Sequence, residues 1–339
     1  MQIDNAEKVF VYASSGGLGD VLMLLPGLTD LSQGPKVEII ISVSYESLIE
    51  VIDLYLENRT NKITYEVVPF DTGFYAFLRY FLALRSKKFD SAYFPNSSNT
   101  GKALIALLMV SPKNLFNNIK VLFQKPRRAE HKISYYARRL GRGTAEINYR
   151  KIQTDFKQKS ASLTFKTELP SMKGFAVITP GSSVLEYHKR WPGSSYVDLI
   201  VGLKAKENLD VVLLGGRDEA GLLEQIHLQC KLRGVNCILA QPKSILGSIS
   251  IINSARCLVS ACCSAIHMGS LTDVRIIGLY GPTDFSYTGP WNYNFEIKNI
   301  NMSCGPCYLK TPLGCGNPTC MYGITVNSVL DTIRRISLR

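Results

Sequence analysis

Long apolar runs are absent from this chain of 339 residues, which excludes an ordinary transmembrane helix. The longest uninterrupted runs, such as Ala103 to Val110, cover about eight residues, whereas a helix needs about 20 to cross a bilayer. The polar and acidic start, Met1 to Glu7, also lacks the basic and apolar regions of a signal peptide. We therefore expect a cytoplasmic protein.

Acidic residues are scarce between positions 101 and 160, where three of them stand against fourteen lysines and arginines. Nearly all of the formal net charge of +12 therefore arises in this segment. Such a segment attracts an anionic lipid surface, a phosphorylated saccharide or nucleic acid, although it can also be a solvated surface that aids solubility. The chain has no zinc-finger spacing, RNA-binding signature or recognition-helix pattern, so a membrane-borne anionic acceptor fits better.

Repeats are also missing, and the pattern that is present alternates short β-branched segments with amphipathic ones. The predicted strands are Val9 to Tyr12, Val37 to Ile41, Ile63 to Val68, Ser91 to Phe94, Ile119 to Phe123, Phe175 to Ile178, Val211 to Leu214, Cys237 to Leu239, Cys257 to Val259 and Ile276 to Leu279. The predicted helices are Val21 to Leu31, Tyr45 to Leu56, Phe74 to Leu84, Gly101 to Val110, Tyr196 to Lys206, Glu219 to Lys231, Ile245 to Asn253, Ala265 to Leu271 and Val326 to Ile336. This alternation indicates two doubly wound halves, each a parallel sheet wrapped by helices, with a polar boundary at Lys159 to Lys173.

Three loops rich in glycine follow predicted strands and are suited to binding anions. They are Ser14 to Asp20, Thr179 to Ser183 with Lys189 a few residues later, and Gly278 to Asp284. In an open parallel sheet, ligands collect beyond the carboxyl ends of the strands, which is where all three loops are predicted to lie. Taken alone, each could also be an ordinary turn.

In their order and separation these segments resemble the glycosyltransferase family of bacterial lipopolysaccharide heptosyltransferases. The matching segments are Ser14 to Pro26, Thr179 to Ser183, Lys189 to Pro192, Gly215 to Glu219, Ser264 to Met268 and Gly281 to Asp284, followed by a cysteine-rich tail. The resemblance implies the GT-B fold, in which two Rossmann-like domains face each other across a cleft. We expect an acceptor-binding domain at 1–165, a nucleotide-sugar-binding domain at 166–325, and a C-terminal helix at 326–339 that packs back on the first domain.

The activity that the resemblance implies is inverting transfer of a heptose-type sugar from an ADP-sugar to a lipopolysaccharide core or related acceptor, with no cofactor for catalysis. Asp20 would be the general base, although an aspartate in the first turn of a helix is also a common cap. Lys189, with Ser182 and Ser183, would stabilise the leaving diphosphate.

The resemblance also implies a donor site in the second half. The residues expected there are Thr179, Ser182, Ser183, Gly215, Asp218, Glu219, Cys262, Ser264, His267, Gly281 and Thr283. The acidic pair could bind ribose hydroxyls or begin a helix, and His267 could be a phosphate donor or a core histidine. Cys262 departs from the family, which has an aspartate there that contacts the donor sugar. A Cys262 or Cys263 nucleophile is an alternative, but no third residue that would orient its histidine is apparent.

The acceptor is expected to contact the first half, through Ser15, Gly17, Lys125, Arg127 and Arg128. The glycine-rich loop would supply hydrogen bonds, and the basic segment would supply charge. The expected partners are therefore an ADP-heptose-type donor and an anionic glycolipid, with peripheral contact with the inner face of the inner membrane and no nucleic acid. Transfer to a protein acceptor, a catalytically silent relative that binds a nucleotide sugar or anionic glycolipid, and a nucleotide-sugar isomerase stay open as alternatives.

Four of the nine cysteines cluster near the end of the chain, at Cys304, Cys307, Cys315 and Cys320. A cytoplasmic location argues against a disulfide framework among the nine cysteines. Their spacing can close a tetrahedral thiolate site for zinc or iron, which would be structural because four thiolates leave no open position. Four reduced cysteines in a loop are the alternative.

Overall fold

The computed structural model describes residues 7–14, 16–32, 37–56, 62–68, 73–97, 99–141, 154, 174–307, 315 and 318–337. It forms two compact units, Met1–Asn148 and Tyr149–Arg339, and each contains one parallel sheet. The predicted boundary at Lys159 to Lys173 lies outside the described residues. In the part of the chain that is described, no helix combines the length and apolarity needed to span a membrane.

The first unit alternates strands and helices as predicted. Its elements are β1 (Glu7–Tyr12), α1 (Leu18–Ser32), β2 (Val37–Val43), α2 (Ser47–Tyr55), β3 (Lys62–Val67), α3 (Phe74–Leu84), β4 (Ser91–Tyr93), α4 (Thr100–Val110), α5 (Leu115–Leu122) and α6 (Lys132–Arg139). The parallel strands lie in the order β3-β2-β1-β4. Side chains from α3, α4 and α5 share one buried cluster with Phe10 of β1 and Phe89, so these three helices cover the same side of the sheet.

The strand predicted at Ile119 to Phe123 is wrong, because this segment forms the second half of α5 and its C-cap. Leu115, Ile119 and Leu122 recur at intervals of four and three residues, which is the helical period, and they pack on the core. The Asn118 side chain accepts a hydrogen bond from Ala92 N of β4 at 3.1 Å, so the helix also terminates the backbone pairing at this edge of the sheet.

The second unit has a larger sheet of the same kind. Its elements are β5 (Phe175–Thr179), α7 (Gly193–Glu207), β6 (Asp210–Leu214), α8 (Ala220–Leu232), β7 (Ile238–Ala240), α9 (Ile245–Asn253), β8 (Cys257–Ala261), α10 (Ser264–Ser270), β9 (Arg275–Tyr280), α11 (Phe285–Thr288), β10 (Phe295–Asn299), α12 (Thr319–Tyr322) and α13 (Val326–Ser337). The parallel order is β10-β9-β8-β5-β6-β7, with β10 not predicted from the sequence. Both units are therefore α/β, as expected.

The C-terminal helix α13 packs on α7. Gly202 of α7 leaves room for Leu330, because a Cβ added at Gly202 would lie 2.8 Å from a Leu330 methyl carbon. Arg334 Nε also donates to Glu207 Oε1 at 2.9 Å. These contacts attach the helix to the second unit, and its expected packing on the first domain stays a prediction.

Each sheet has a switch point, at which successive connections leave in opposite directions. In the first unit it lies between β1 and β4, and in the second between β5 and β8. Ligands of open α/β sheets bind beyond the carboxyl ends of the strands at such points. The loops after β1, β5 and β8 carry predicted site residues, so each unit offers its own binding edge.

Candidate active site

In the first unit the site is built on the loop that joins β1 to α1. An added Cβ at Gly16 would lie 2.7 Å from Asp20 Cβ and 2.8 Å from Asn96 Nδ2, so only glycine fits between them. Asn96, on the loop after β4, donates from Nδ2 to Ala13 O at 2.9 Å. The two loops that flank the switch point are therefore tied together directly beside Asp20.

The Asp20 carboxylate is held by three donors. Lys132 Nζ lies 2.6 Å and Tyr136 Oη 2.7 Å from its Oδ1, and Gly17 N donates to Oδ2 at 3.2 Å. The last contact is the local capping interaction that the sequence allowed for. The Lys132 and Asp20 side chains are about three-quarters buried, being 22% and 24% exposed. Water therefore screens this ion pair less than it screens a pair at the surface.

Lys132 and Tyr136 are functional candidates that the sequence reasoning missed. They stand four residues apart on α6 and so share one face of that helix. A Cβ at Gly27 of α1 would lie 3.1 Å from Ala137 Cα, which shows how closely α6 packs on α1. The spacing of four residues between a basic and an aromatic side chain could have indicated them. That spacing becomes informative only if residues 132–139 are first predicted to form a helix.

The basic loop before α6 is fixed by a buried ion pair. Arg138 donates to both carboxylate oxygens of Glu130, at 2.7 and 2.6 Å, and both side chains are 9% exposed. The hydrogen bonds from Arg138 hold the pKa of Glu130 below its usual range, against the opposing effect of burial. This loop carries the Lys125, Arg127 and Arg128 side chains, which are exposed as an acceptor-binding role requires.

The remaining acceptor candidates lie in the glycine-rich loop. Gly17 has open space where a Cβ would stand, and its backbone N already donates to Asp20. Ser15 lies outside the described residues.

In the second unit, two of the predicted donor residues have buried hydroxyls without a hydrogen-bond partner among the described residues. These are Thr179 Oγ1, at the end of β5, and Thr283 Oγ1, on the loop after β9. An unpaired buried polar group is costly, and nearly all such groups in proteins are satisfied. Both hydroxyls belong to loops at the carboxyl edge of the sheet, where a ligand could satisfy them.

Ser182, which is expected to donate to a phosphate, makes hydrogen bonds within its own loop. It is buried, and its hydroxyl donates to Glu186 O at 3.0 Å while accepting from Arg190 Nε at 3.2 Å. Arg190 also donates to Ser182 O. The Ser182 side chain therefore anchors the loop to Arg190, whereas the neighbouring Ser183 is exposed.

Lys189 is paired within its own loop. Its Nζ lies 2.7 Å from Glu186 Oε1, with the lysine side chain 13% exposed. The sequence reasoning did not single out Glu186. A diphosphate at Lys189 would compete with this carboxylate for the ammonium group.

Glu219 is the member of the acidic pair that faces the binding edge, whereas Asp218 is exposed. A Cβ added at Gly181 would lie 1.7 Å from Glu219 Oε1, and one at Gly215 would lie 2.9 Å from its Oε2. The carboxylate also accepts from Gly216 N at 2.8 Å. Burial between these loops raises the pKa of Glu219, an effect that the Gly216 hydrogen bond opposes.

The loop after β8 also lies near Glu219. Burial raises the pKa of the Cys263 thiol to about 11, and the nearby Glu219 carboxylate adds to that rise. A thiol with a raised pKa is a poor nucleophile, which counts against Cys263 in that role. Cys262 Sγ lies 3.8 Å from Thr288 Oγ1. Ser264 begins α10, and His267 is buried within it.

The cysteine-rich segment folds against the loop after β9. A Cβ at Gly281 would lie 2.8 Å from Cys320 Sγ, and Cys307 N donates to Pro282 O at 3.1 Å. The thiols of Cys304, Cys307 and Cys315 all raise the pKa of Cys320, after the larger effect of burial, so each of the three lies within electrostatic reach of Cys320. Among the described residues, however, no three or more metal-ligating side chains are placed to hold an ion. The zinc or iron site expected from the spacing stays a prediction.

Comparison with known proteins gives a consistent result. A family model described as glycosyltransferase family 9 (heptosyltransferase) matches residues 114–313. The lipooligosaccharide heptosyltransferase 2 of Campylobacter jejuni subsp. jejuni serotype O:6 is 23% identical over 344 residues, which cover 97% of this chain and 99% of the relative.

Two solved structures share the fold along almost the whole chain. The glycosyl transferase of family 9 from Veillonella parvula has a TM-score of 0.72 at 17% identity, covering 100% of this chain and 99% of its own. The E. coli heptosyltransferase WaaC with ADP has a TM-score of 0.65 at 17% identity, covering 97% and 99%. At these identities the likeness concerns the fold, and it confirms the predicted fold class of two Rossmann-like units.

Proposed function

The chain belongs to glycosyltransferase family 9, the heptosyltransferases, and from that membership we propose that it moves a heptose-type sugar from an ADP-linked donor to an anionic core acceptor of lipopolysaccharide. The similar E. coli enzyme was solved with ADP, and the Campylobacter relative is named for lipooligosaccharide. The second unit would hold the donor and the first the acceptor.

The proposed reaction is a direct displacement at the anomeric carbon. Asp20 takes the proton of the acceptor hydroxyl as its oxygen forms a bond to that carbon. The bond from the carbon to the diphosphate oxygen breaks, and the electron pair leaves with ADP. Attack from the face opposite the leaving group inverts the configuration, and no metal ion or other cofactor takes part.

The single observation that carries this proposal is the setting of Asp20. Its carboxylate lies at the switch point of the first sheet and is oriented by Lys132, Tyr136 and Gly17. A cap alone needs only the contact with Gly17 N. The additional contacts from α6 are those expected of a base whose position must be fixed, and the exposed Lys125 and Arg127 on the adjoining loop suit an anionic acceptor.

On the donor side, we propose three kinds of contact. The hydroxyls of Thr179 and Thr283 donate to the nucleotide or its phosphates, which satisfies groups that otherwise stay unpaired. The Glu219 carboxylate accepts from ribose hydroxyls. Lys189 exchanges Glu186 for the leaving diphosphate, where its charge stabilises the negative charge that develops as the bond breaks.

The variant Asp20→Asn distinguishes an active enzyme from a silent binding protein. Its matched control is Asp30→Asn, which changes an exposed aspartate of the same helix. Release of ADP from ADP-heptose is measured with a delipidated core acceptor, and donor binding is measured by calorimetry. We expect turnover to fall about 100-fold or more in the first variant, with donor affinity unchanged, and to stay the same in the second.

A catalytically silent relative is the second candidate, because Cys262 replaces the carboxylate expected to bind the donor sugar. A thiol cannot accept two sugar hydroxyls as a carboxylate does. Donor binding by the wild-type chain without ADP release would favour this candidate. Supplying a protein acceptor and the glycolipid in turn to the same assay shows which of the two supports release of ADP.

The zinc or iron expected at the four clustered cysteines stays a prediction. Metal analysis of the purified chain checks it, with about one equivalent expected if the four thiolates close a site. Loss of that equivalent in Cys307→Ser, with protein recovery unchanged, would assign the metal to the cluster. A metal-free chain would leave the cysteines as packing for the loop that carries Thr283.

A further inference from the structure

The second unit contains a cavity at the amino ends of its strands, on the edge of the sheet opposite to the candidate donor contacts. Its volume is about 560 Å³, which is within the range of small-molecule sites in proteins. The segments at which β8, β9 and β10 begin line it together with the helix α13. Its polar lining includes Asn253, Arg256, Asp273, Arg275, Glu296 and Arg335.

The strands separate this cavity from the proposed donor contacts. Strand β9 begins with Arg275, in the cavity wall, and its six residues end at Tyr280, just before the loop that carries Thr283. At roughly 3.3 Å for each residue, the two ends of the strand lie about 20 Å apart. A molecule in the cavity would therefore not touch the Thr283 hydroxyl, and the cavity is a separate site.

Positive charge exceeds negative charge where β9, β10 and α13 meet. Three cations surround the Glu296 carboxylate: Lys298 Nζ at 2.7 Å, Arg335 Nη2 at 2.9 Å and Arg275 Nη2 at 3.7 Å. One carboxylate balances only one of them. The Arg275 and Lys298 side chains are 29% and 17% exposed, so water screens their charge only in part. The other two charged residues of the lining have opposite signs and leave this excess unchanged.

The Arg275 side chain also has unused hydrogen-bond donors. Its Nη1 donates to Asn294 Oδ1 at 2.9 Å. Its Nη2 lies too far from Glu296 for a hydrogen bond, and its Nε is buried without a partner among the described residues. Nε and Nη2 form the edge of a guanidinium that binds a carboxylate or phosphate through two parallel hydrogen bonds. An arginine in this state is stabilised by an anionic oxygen that accepts from it.

We propose that this cavity binds a small phosphate monoester, with its phosphate at Arg275 and Arg335. A phosphate monoester carries a charge of about −1.5 to −2 near neutral pH, which matches the excess of positive charge better than a single carboxylate does. The cavity is much larger than a phosphate group, so it also has room for the organic part of the ligand. Hydroxyls on that part can be bound by Asn253 and Asp273.

Glu296 does not prevent this binding, because its charge stays balanced. The carboxylate accepts from Lys298 Nζ at 2.7 Å and from Thr332 Oγ1 at 2.9 Å, and both contacts can persist when the two arginines bind a phosphate. A phosphate shared by Arg275 and Arg335 would join β9 to α13. Binding should therefore stabilise the second unit against unfolding. The inference goes beyond the proposed function, since the cavity needs neither the sugar donor nor the acceptor.

The test is titration calorimetry of the full chain with glucose 6-phosphate, compared with inorganic phosphate and with glucose. We expect one glucose 6-phosphate to bind per chain, inorganic phosphate to bind more weakly, and glucose not to bind. Arg275→Gln and Arg335→Gln should each lower the affinity for glucose 6-phosphate about ten-fold or more, because each removes donors to the phosphate. Arg335 is 65% exposed, so its variant should fold even if the other does not, and thermal unfolding checks both.

The matched control is Arg233→Gln, which removes an arginine of the same unit that pairs with Asp198 at the surface. It should bind glucose 6-phosphate as the wild type does. An equal loss in this control would overturn the proposal, as would a wild-type chain that binds neither phosphate compound. Equal affinity for inorganic phosphate and glucose 6-phosphate would overturn the assignment of a phosphate monoester.

A second control separates the cavity from the donor edge. Lys189→Gln should leave the binding of glucose 6-phosphate unchanged, because Lys189 lies on the loop after β5, at the other edge of the sheet. Loss of binding in Lys189→Gln, with wild-type affinity in Arg335→Gln, would place the phosphate at the donor edge and overturn the proposal. Release of ADP is not measured in this test, so failure of the transferase proposal would leave its outcome unchanged.

Discussion

Replacing Gly181 by alanine is expected to weaken donor binding, because the Glu219 carboxylate occupies the space that a methyl group needs. An ideal Cβ at this position would lie 1.7 Å from Glu219 Oε1 and 2.2 Å from Cδ, which no real structure accepts. The clash is with the end of a flexible side chain, so the carboxylate can turn away. The fold should therefore survive while the proposed ribose contact is lost.

The magnitude follows from what the carboxylate gives up when it moves. In the structure it accepts from Gly216 N at 2.8 Å and reaches the loops after β5 and β6 together. A hydrogen bond to a charged group contributes about 1.5–3 kcal/mol. If the ribose contact of Glu219 is of this kind, its loss corresponds to a fall in ADP affinity of roughly 10- to 100-fold.

The assay is titration calorimetry with ADP, supported by thermal unfolding of each variant. Gly216→Ala is the matched control, since a Cβ there would meet Glu219 Oε2 only at 3.9 Å, an ordinary contact. We expect the control to bind ADP as the wild type does. Equal affinity in Gly181→Ala and Gly216→Ala, with both folded, would refute the assignment of Glu219 to the donor.

Two further outcomes follow from ion pairs in the structure. Glu130→Gln should lower the free energy of unfolding by about 2 kcal/mol at neutral pH, because it weakens the buried pair with Arg138. In the folded protein Arg138 holds the pKa of Glu130 below its usual 4.5. The stabilisation that this ion pair gives is therefore present above pH 4.5 and is lost as the pH falls through the lower folded-state pKa of Glu130. Urea unfolding at pH 7 and at about pH 3 checks this, and a difference that persists undiminished at the lower pH would contradict it. Glu186→Gln should raise ADP affinity roughly two- to five-fold in calorimetry, because Lys189 no longer has to leave a carboxylate, and a lower affinity would show that Glu186 assists the donor instead.

The strands and their order of appearance were predictable because their signal is local. A parallel strand buried on both faces reads as a short run rich in β-branched residues, and β1, β2 and β5 all do. The loops after them were predictable for the same reason, since glycine and serine are typical of turns. Gly16 and Gly181 confirm this, because neighbouring side chains leave no room for a Cβ at either position.

The α5 and α6 helices were not predictable in this way. Ile119 to Phe123 contains β-branched and aromatic residues that favour a strand, and the helical period appears only when Leu115 is included. The α6 helix is short, and its polar residues acquire a role only through packing on α1. The contacts of Lys132 and Tyr136 with Asp20 join positions more than 110 residues apart, which no local pattern reveals.

The least predictable feature of the site is that two of its lysines already have carboxylate partners. Lys132 lies against Asp20, and Lys189 lies against Glu186. At these two lysines an anionic substrate competes with a carboxylate, and the net binding energy is the difference between two ion pairs. Such an exchange costs affinity, yet it keeps each lysine in a defined position before the substrate arrives. If Asp20 is the base, as proposed, the exchange also has a chemical consequence: an acceptor phosphate that draws Lys132 away leaves the Asp20 carboxylate without its cation, at the moment when the proposed base accepts a proton.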